Sequence, residues 1–180
     1  MNWKAARPAI HISFDIDDTL VCGPTVPTEQ VVPLWYLRRC AEQPRRGCRA
    51  LMHALALRGC RIWVYTTSGR SPRYLRGWFR RMGIRLEGVV NQSRHEEVVG
   101  RRGPSKYPPA FFIGLHVDDS PGVAIEGEAH GFRVILVSPD DERWTERILD
   151  AVDAILHPSG TPLSRVHHVP DVRAAISCAP

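Results

Sequence analysis

The sequence predicts an α/β fold: a central, mostly parallel five-stranded sheet with helices on both faces. Two observations carry this. Short apolar runs alternate along the chain with stretches of helical periodicity, the pattern of strands joined by crossover helices. Polar clusters follow the apolar runs instead of preceding them: DIDD after the first, TTSGR after the second and DDS after the fourth. In open sheets of this kind the ligand site lies beyond the carboxyl ends of the strands, so these clusters belong at one edge of the molecule.

Taken in order, Ala9–Phe14 (AIHISF) reads as a buried first strand. Thr28–Glu42 and Cys48–Arg58 place apolar residues at helical spacing, separated by a breaker at Pro44–Gly47. Arg61–Tyr65 (RIWVY), rich in β-branched and aromatic residues, is the second strand. Pro72 suits the first turn of a helix running to about Met82, with Gly83 as its stop. A weaker third strand falls near Gly88–Asn91. Ser93–Pro109, with two glycines and three prolines, reads as loop.

Phe111–Val117 (FFIGLHV) is the fourth strand, and Ser120–His130 forms a helix capped by Asp119 or Ser120, with Pro121 just inside. Phe132–Val137 is the fifth strand and Asp141–Leu156 a final amphipathic helix. From His157 onward Pro, Gly, Ser and His dominate. The expected organisation is one domain over 1–156 and an irregular tail over 157–180.

The 180 residues suffice for a single packed core, and 43% hydrophobic with 24% charged residues is ordinary for a globular chain. No run of 18 apolar residues is present, which excludes a helical membrane span, and the N-terminus shows no signal-peptide pattern; a cytoplasmic location is expected. Five cysteines without a CxxC pair fit reduced thiols better than disulfides or a zinc site. Charge is uneven. Arg38–Arg102 holds 16 Arg against four Glu, whereas Asp118–Asp153 holds ten acids against three Arg. A basic face of this kind can attract an anionic substrate or nucleic acid, although solvated helix faces explain most such arginines.

Asp15, Asp17 and Asp18 crowd the end of an apolar strand, where they repel one another and require positive compensation. Asp118 and Asp119, at another strand end, would join them if the two strands are neighbours. Such hard oxygen ligands suit Mg²⁺. A calcium EF-hand does not fit, because Leu20 stands where its glycine belongs and Val26 where its glutamate ligand belongs.

In this order and on these strands, DIDDTL (Asp15–Leu20), the strand IWVYTT ending at Thr66, Lys106 in SKYPP and the strand LHVDDS with Asp118 and Asp119 resemble the four motifs of the haloacid dehalogenase (HAD) superfamily, over roughly Ile10 to Val137. The resemblance implies a Rossmann-like three-layer sandwich and a phosphatase. Asp15 would be the nucleophile and Asp17 the general acid and base. Thr66 and Lys106 would bind the phosphoryl oxygens. Mg²⁺ would be held by Asp15, the Asp17 main-chain carbonyl and Asp118, with Asp119 assisting, pairing with Lys106 or capping the next helix. Thr67 is the substitute for Thr66 if the strand ends one residue later.

In this superfamily inserted cap domains choose the substrate. Here Leu20 to about Pro27 allows a short flap, and Asn91 to Lys106 a loop. No large cap domain is expected, and the open site suits a macromolecular phosphoester, or a small one if an oligomer partner closes the mouth. Arg70 and Arg73 are candidates to meet a second anionic group of the substrate. His116 reads as a packed core residue. Phosphotransfer to an acceptor other than water, and a catalytically silent module that binds nucleic acid through the basic segment, are the competing readings.

Overall fold

The computed structural model describes residues 9–30 and 42–158. Among them are five strands, β1 (His11–Phe14), β2 (Arg61–Tyr65), β3 (Gly88–Val90), β4 (Leu115–Asp118) and β5 (Val134–Leu136), in one sheet of order β3-β2-β1-β4-β5. Every pairing is parallel, and β1 runs down the centre. The helices are α1 (Cys48–Leu57), α2 (Pro72–Arg81), α3 (Gln92–Val98), α4 (Pro121–His130) and α5 (Trp144–Leu156).

Period-two alternation divides the central strands between the two faces. Ile12 and Phe14, Ile62 and Val64, and Leu115 and Val117 join the main core with Leu51 and Leu55 of α1, Trp78 and Phe79 of α2, and Ile148 and Val152 of α5. Tyr65, Val90, Phe111 and Ile113 form a smaller cluster on the other face, toward which His95 of α3 extends to reach Tyr65. Ser13 and His116, fully buried and paired across β1 and β4, carry polar atoms into this second face.

α2 matches its expected bounds closely. The Ser71 hydroxyl caps it by accepting from the Tyr74 N–H, Pro72 fills the first turn, and Gly83 takes a left-handed φ of 80° just past its end. α4 runs as expected from Pro121 to His130 and ends in the left-handed Gly131.

Five expectations need correction. The stretch read as loop over Ser93–Pro109 contains α3. Its N-terminus is fixed by the Asn91 side chain, which accepts from the Arg94 N–H, and its outer face by Gln92–Glu96 and Arg94–Glu97 contacts. The glycines and prolines that suggested loop begin only at Gly100. The fourth strand starts at Leu115 and not Phe111, because Pro108–Phe111 form a 3₁₀ turn and Phe112 adopts a left-handed φ of 57°. Apolarity at Phe111 and Ile113 reflects burial in a turn and not strand geometry. The fifth strand and the last helix are shorter than expected, beginning at Val134 and Trp144.

Finally, no helix starts at Thr28, which bridges antiparallel to Arg45; the rest of that expected helix, 31–41, lies outside the described residues, as does the tail from 159. Between β3 and Lys106 there is α3 and a loop, with no inserted domain. No helix among the described residues is long and apolar enough to cross a membrane.

Candidate active site

The register of β1 against β4 aligns Phe14 with Val117, and the Asp15 N–H donates to the Val117 carbonyl at 2.9 Å. Asp15 and Asp118 therefore emerge side by side at the carboxyl edge of the sheet. Beyond Asp15 the chain reverses sharply. The N–H groups of Leu20 and Val21 both donate to the Ile16 carbonyl, and Asp18 takes a left-handed φ of 54°, a conformation that Asp tolerates better than most residues.

Lys106 comes from the loop after α3 and meets both carboxylates. Its Nζ donates to Asp15 Oδ1 at 2.8 Å, to Asp118 Oδ2 at 3.0 Å and to the Tyr65 carbonyl at 3.2 Å. All three side chains are nearly enclosed: Asp15 is 8% exposed, Asp118 2% and Lys106 4%. Burial pulls the Lys106 ammonium down, but Asp15 and Asp118 outweigh it, so its pKa lies above the usual lysine value. Burial raises the Asp15 carboxyl, against the opposing pull of Lys106. Asp118 also suffers from burial, yet its bond to His116 and the Lys106 charge bring it down to about 2.

His116 was read as a packed core residue, and packed it is, but it also buttresses the site. Its Nε2 lies 2.9 Å from Asp118 Oδ2 and its Nδ1 2.8 Å from Ser13 Oγ. Burial keeps the imidazole pKa below its ordinary value. A carboxylate can only accept, so neutral His116 donates from Nε2 to Asp118 and accepts at Nδ1 from the Ser13 hydroxyl. The alternation of Ser13 and His116 with apolar neighbours on adjacent strands was the signal available in the sequence; which strands are adjacent was not.

Thr66 directly follows β2, buried, with its N–H on the Val90 carbonyl at 2.9 Å and its Oγ1 accepting from the Ser68 N–H at 3.2 Å. Thr67 is exposed and lines an open cleft of about 530 Å³ with Gln92, Glu96, Arg101 and Ser105. Asp119 does not bond Lys106; its Oδ1 accepts from the Thr19 hydroxyl at 3.3 Å, and burial together with Asp118 raises its pKa. The N–H at the start of α4 is taken by Asp118 instead, through Ser120 at 2.9 Å.

Asp17 stands apart. Its side chain is 54% exposed and is held bidentately by Arg70, Nη1 to Oδ2 at 2.8 Å and Nη2 to Oδ1 at 2.7 Å. Arg70, expected to await a substrate anion, also binds Glu42, which accepts in turn from the Tyr74 hydroxyl. Glu42, to which sequence reasoning gave no role, thereby reaches the arginine that holds Asp17.

Among the described residues no three His, Cys, Asp or Glu side chains converge as a ready-made metal cage. Mg²⁺ does not require one, since it takes one or two carboxylates and keeps several waters. The charge balance does fit a divalent cation: when ionised, Asp15, Asp118 and Asp119 bring three negative charges against the single Lys106 ammonium, leaving two uncompensated with His116 neutral. The donors are hard oxygens, as Mg²⁺ prefers.

No family model and no curated protein matches the chain. Among solved structures it is similar to a HAD-superfamily hydrolase, subfamily IA, variant 1, from Geobacter sulfurreducens PCA, at 16% identity and a TM-score of 0.51, covering 80% of this chain and 100% of that one. A predicted HAD-like family hydrolase from Porphyromonas gingivalis aligns at 11% identity over 83% of this chain and 98% of its own, with a TM-score of 0.47. The HAD domain of the effector protein Lem4 from Legionella pneumophila aligns at 13% identity over 84% and 100%, also at 0.47. The Geobacter likeness and the all-parallel sheet together show that this chain has the HAD-like, Rossmann-like α/β fold.

Proposed function

We propose that the protein is a Mg²⁺-dependent hydrolase of phosphomonoesters that works through an aspartyl-phosphate on Asp15. The observation that carries this reading is the Lys106 ammonium, buried and shared between Asp15 and Asp118 at 2.8 and 3.0 Å. A buried lysine between two carboxylates is costly to assemble for stability alone. Here it holds one carboxylate oxygen of Asp15 and offsets charge where a phosphoryl group would arrive.

The Asp15 carboxylate oxygen attacks phosphorus, and the bond from phosphorus to the ester oxygen breaks as Asp17 gives that oxygen a proton. In the second step Asp17 takes a proton from water, whose oxygen attacks phosphorus and releases Asp15 and inorganic phosphate. For both steps Asp17 exchanges Arg70 for the leaving oxygen or the water. Lys106, turning the N–H that meets the Tyr65 carbonyl toward substrate, and the Thr66 hydroxyl hold phosphoryl oxygens, an electrostatic role whose loss typically costs a hundredfold or more. Mg²⁺, held by Asp15, the Asp17 carbonyl and Asp118 with Asp119 nearby, would neutralise charge on the phosphoryl oxygens. Asp118 is kept ionised for this by His116 and Lys106.

A panel of phosphorylated metabolites, nucleotides and a phosphopeptide, incubated with Mg²⁺ or chelator, tests the reading. Magnesium-dependent phosphate release by wild type and none by Asp15→Asn is expected. With a labelled substrate and an acid quench, phosphate should remain on wild-type protein. No release from any compound by a folded protein would overturn it.

A further inference from the structure

Six arginines lie between residues 70 and 85 with no acidic residue among them. Elsewhere in the basic segment, five of the described arginines have partners for their side chains, Arg61 with Glu87 among them. Arg58 pairs with Asp153, Arg94 with Glu97 and Arg101 with Glu96, and Arg45 is buried on three carbonyls. On α2 the pattern differs. Leu75, Trp78 and Phe79 face the core, while Arg73, Arg76 and Arg80 are exposed at spacings of three and four, which places them on one outward stripe. Arg73 and Arg80 have no ion pair among the described residues. Arg76 donates to the Leu86 carbonyl at 3.1 Å.

Gly77 leaves a groove of about 640 Å³ between these side chains. Like charges at this spacing destabilise a helix, so the stripe costs stability unless an external anion offsets it. Its placement is informative as well. α2 begins directly after Arg70, which grips Asp17 at the mouth of the site, and runs away from it. Arg73 to Arg80 spans about 10 Å of helix axis, roughly three nucleotide steps of a nucleic-acid strand.

We infer that the outward face of α2 docks a nucleic-acid strand, Arg73, Arg76 and Arg80 receiving backbone phosphates along it while a terminal phosphomonoester enters at Asp15. Guanidinium groups suit this because they bind phosphate oxygens bidentately. The proposal deepens the phosphatase reading and rests on it for the fate of the terminal phosphate; the docking face itself does not depend on it.

Binding of a 5′-phosphorylated single-stranded oligonucleotide to Asp15→Asn should be measured across salt concentrations. The same measurement follows with Arg73→Gln/Arg76→Gln/Arg80→Gln added, and with Arg73→Gln/Arg80→Gln, which spares the Leu86 bond. The triple change should flatten the slope of log affinity against log salt by about 2, from about 0.7 per phosphate contact on a single strand. The double change should flatten it by about two thirds as much. In the wild-type background both sets of substitutions should leave p-nitrophenyl phosphate turnover unchanged and slow release of the oligonucleotide's terminal phosphate. Equal oligonucleotide binding by all forms overturns the proposal, and so does preference for phosphatidylserine vesicles or an acidic phosphopeptide. If neither p-nitrophenyl phosphate nor the oligonucleotide's terminal phosphate is hydrolysed while the substitutions still lower the salt slope, the phosphatase reading fails and the docking face stands.

Discussion

Arg70 holds both carboxylate oxygens of Asp17, at 2.7 and 2.8 Å, while its Nε and Nη2 also donate to Glu42. One guanidinium thus fixes the group proposed to move the proton and ties it to the segment before α1. Arg70→Gln should leave Asp17 free to rotate. The exposed half of the pair contributes little to stability, under about 1 kcal/mol, so the protein should remain folded. Turnover should split by leaving group. General-acid assistance is worth about 10²- to 10⁴-fold, and a disoriented acid should lose about tenfold of it on alkyl phosphates. p-Nitrophenyl phosphate, whose leaving group needs no proton, should be nearly unaffected in the first step. Equal effects on both substrates would remove the positioning role.

Lys106→Met removes the single cation between Asp15 and Asp118 and leaves two buried carboxylates facing each other. Breaking a buried pair from one side costs about 3–5 kcal/mol. In chelator the melting temperature of this variant should fall steeply. Added Mg²⁺ should raise it by more than it raises wild type, because the cation then supplies the missing charge. Activity should drop at least a hundredfold in either condition. A variant indifferent to Mg²⁺ would argue against a cation site between these carboxylates.

Much of this arrangement was legible in the sequence, and the part that was not has a physical reason. Asp15 and Asp118 were identifiable because each closes an apolar run, and Lys106 because its place before the fourth run resembles a HAD motif. α3 was missed because six of its seven residues are polar and its order comes from the Asn91 cap and from His95 bonding Tyr65, a partner 30 positions away. Phe111 was misplaced into a strand because burial and strand geometry leave the same apolar signature in a short run. The Asp17–Arg70–Glu42 link joins positions 53 and 28 residues apart, and charge alone at those positions does not say which acid an arginine chooses.

Asp118 sets a pH dependence with a definite sign. Its folded pKa of about 2 lies below the unfolded value of about 3.9. Its ionised form therefore favours the folded state. That stability is fully present above about pH 4 and is lost as pH falls through 2. It amounts to about 2–3 kcal/mol. Asp15 acts in the opposite sense, since its raised pKa gives a contribution present in acid and lost as pH rises. Urea unfolding of wild type and Asp118→Asn in chelator separates them. Wild-type stability should fall between pH 4 and 2, and the variant, whose amide still accepts from His116, should show a shallower fall. Identical slopes would mean that Asp118 is not held ionised by its partners.

Gly127 tests how closely α4 must lie on β5. It faces inward on α4, and a Cβ there would stand 2.8 Å from the Phe132 carbonyl oxygen and 2.9 Å from Val134 Cγ2. Helix propensity alone favours alanine over glycine by about 1 kcal/mol. The contact with backbone cannot be relieved by a rotamer change, so α4 would have to lift from the sheet edge, and overpacking of this kind costs about 1–3 kcal/mol. Gly127→Ala should therefore lower stability on balance. Gly122→Ala provides the control on the same helix, because its Cβ would come no nearer than 3.4 Å to Ser120 Oγ; there the propensity gain should appear uncancelled. Because α4 follows Asp118 and Asp119 directly, a shift of its start would also disturb the Ser120 N–H bond to Asp118. Gly127→Ala should weaken Mg²⁺-induced thermal stabilisation along with the fold, whereas Gly122→Ala should leave it intact.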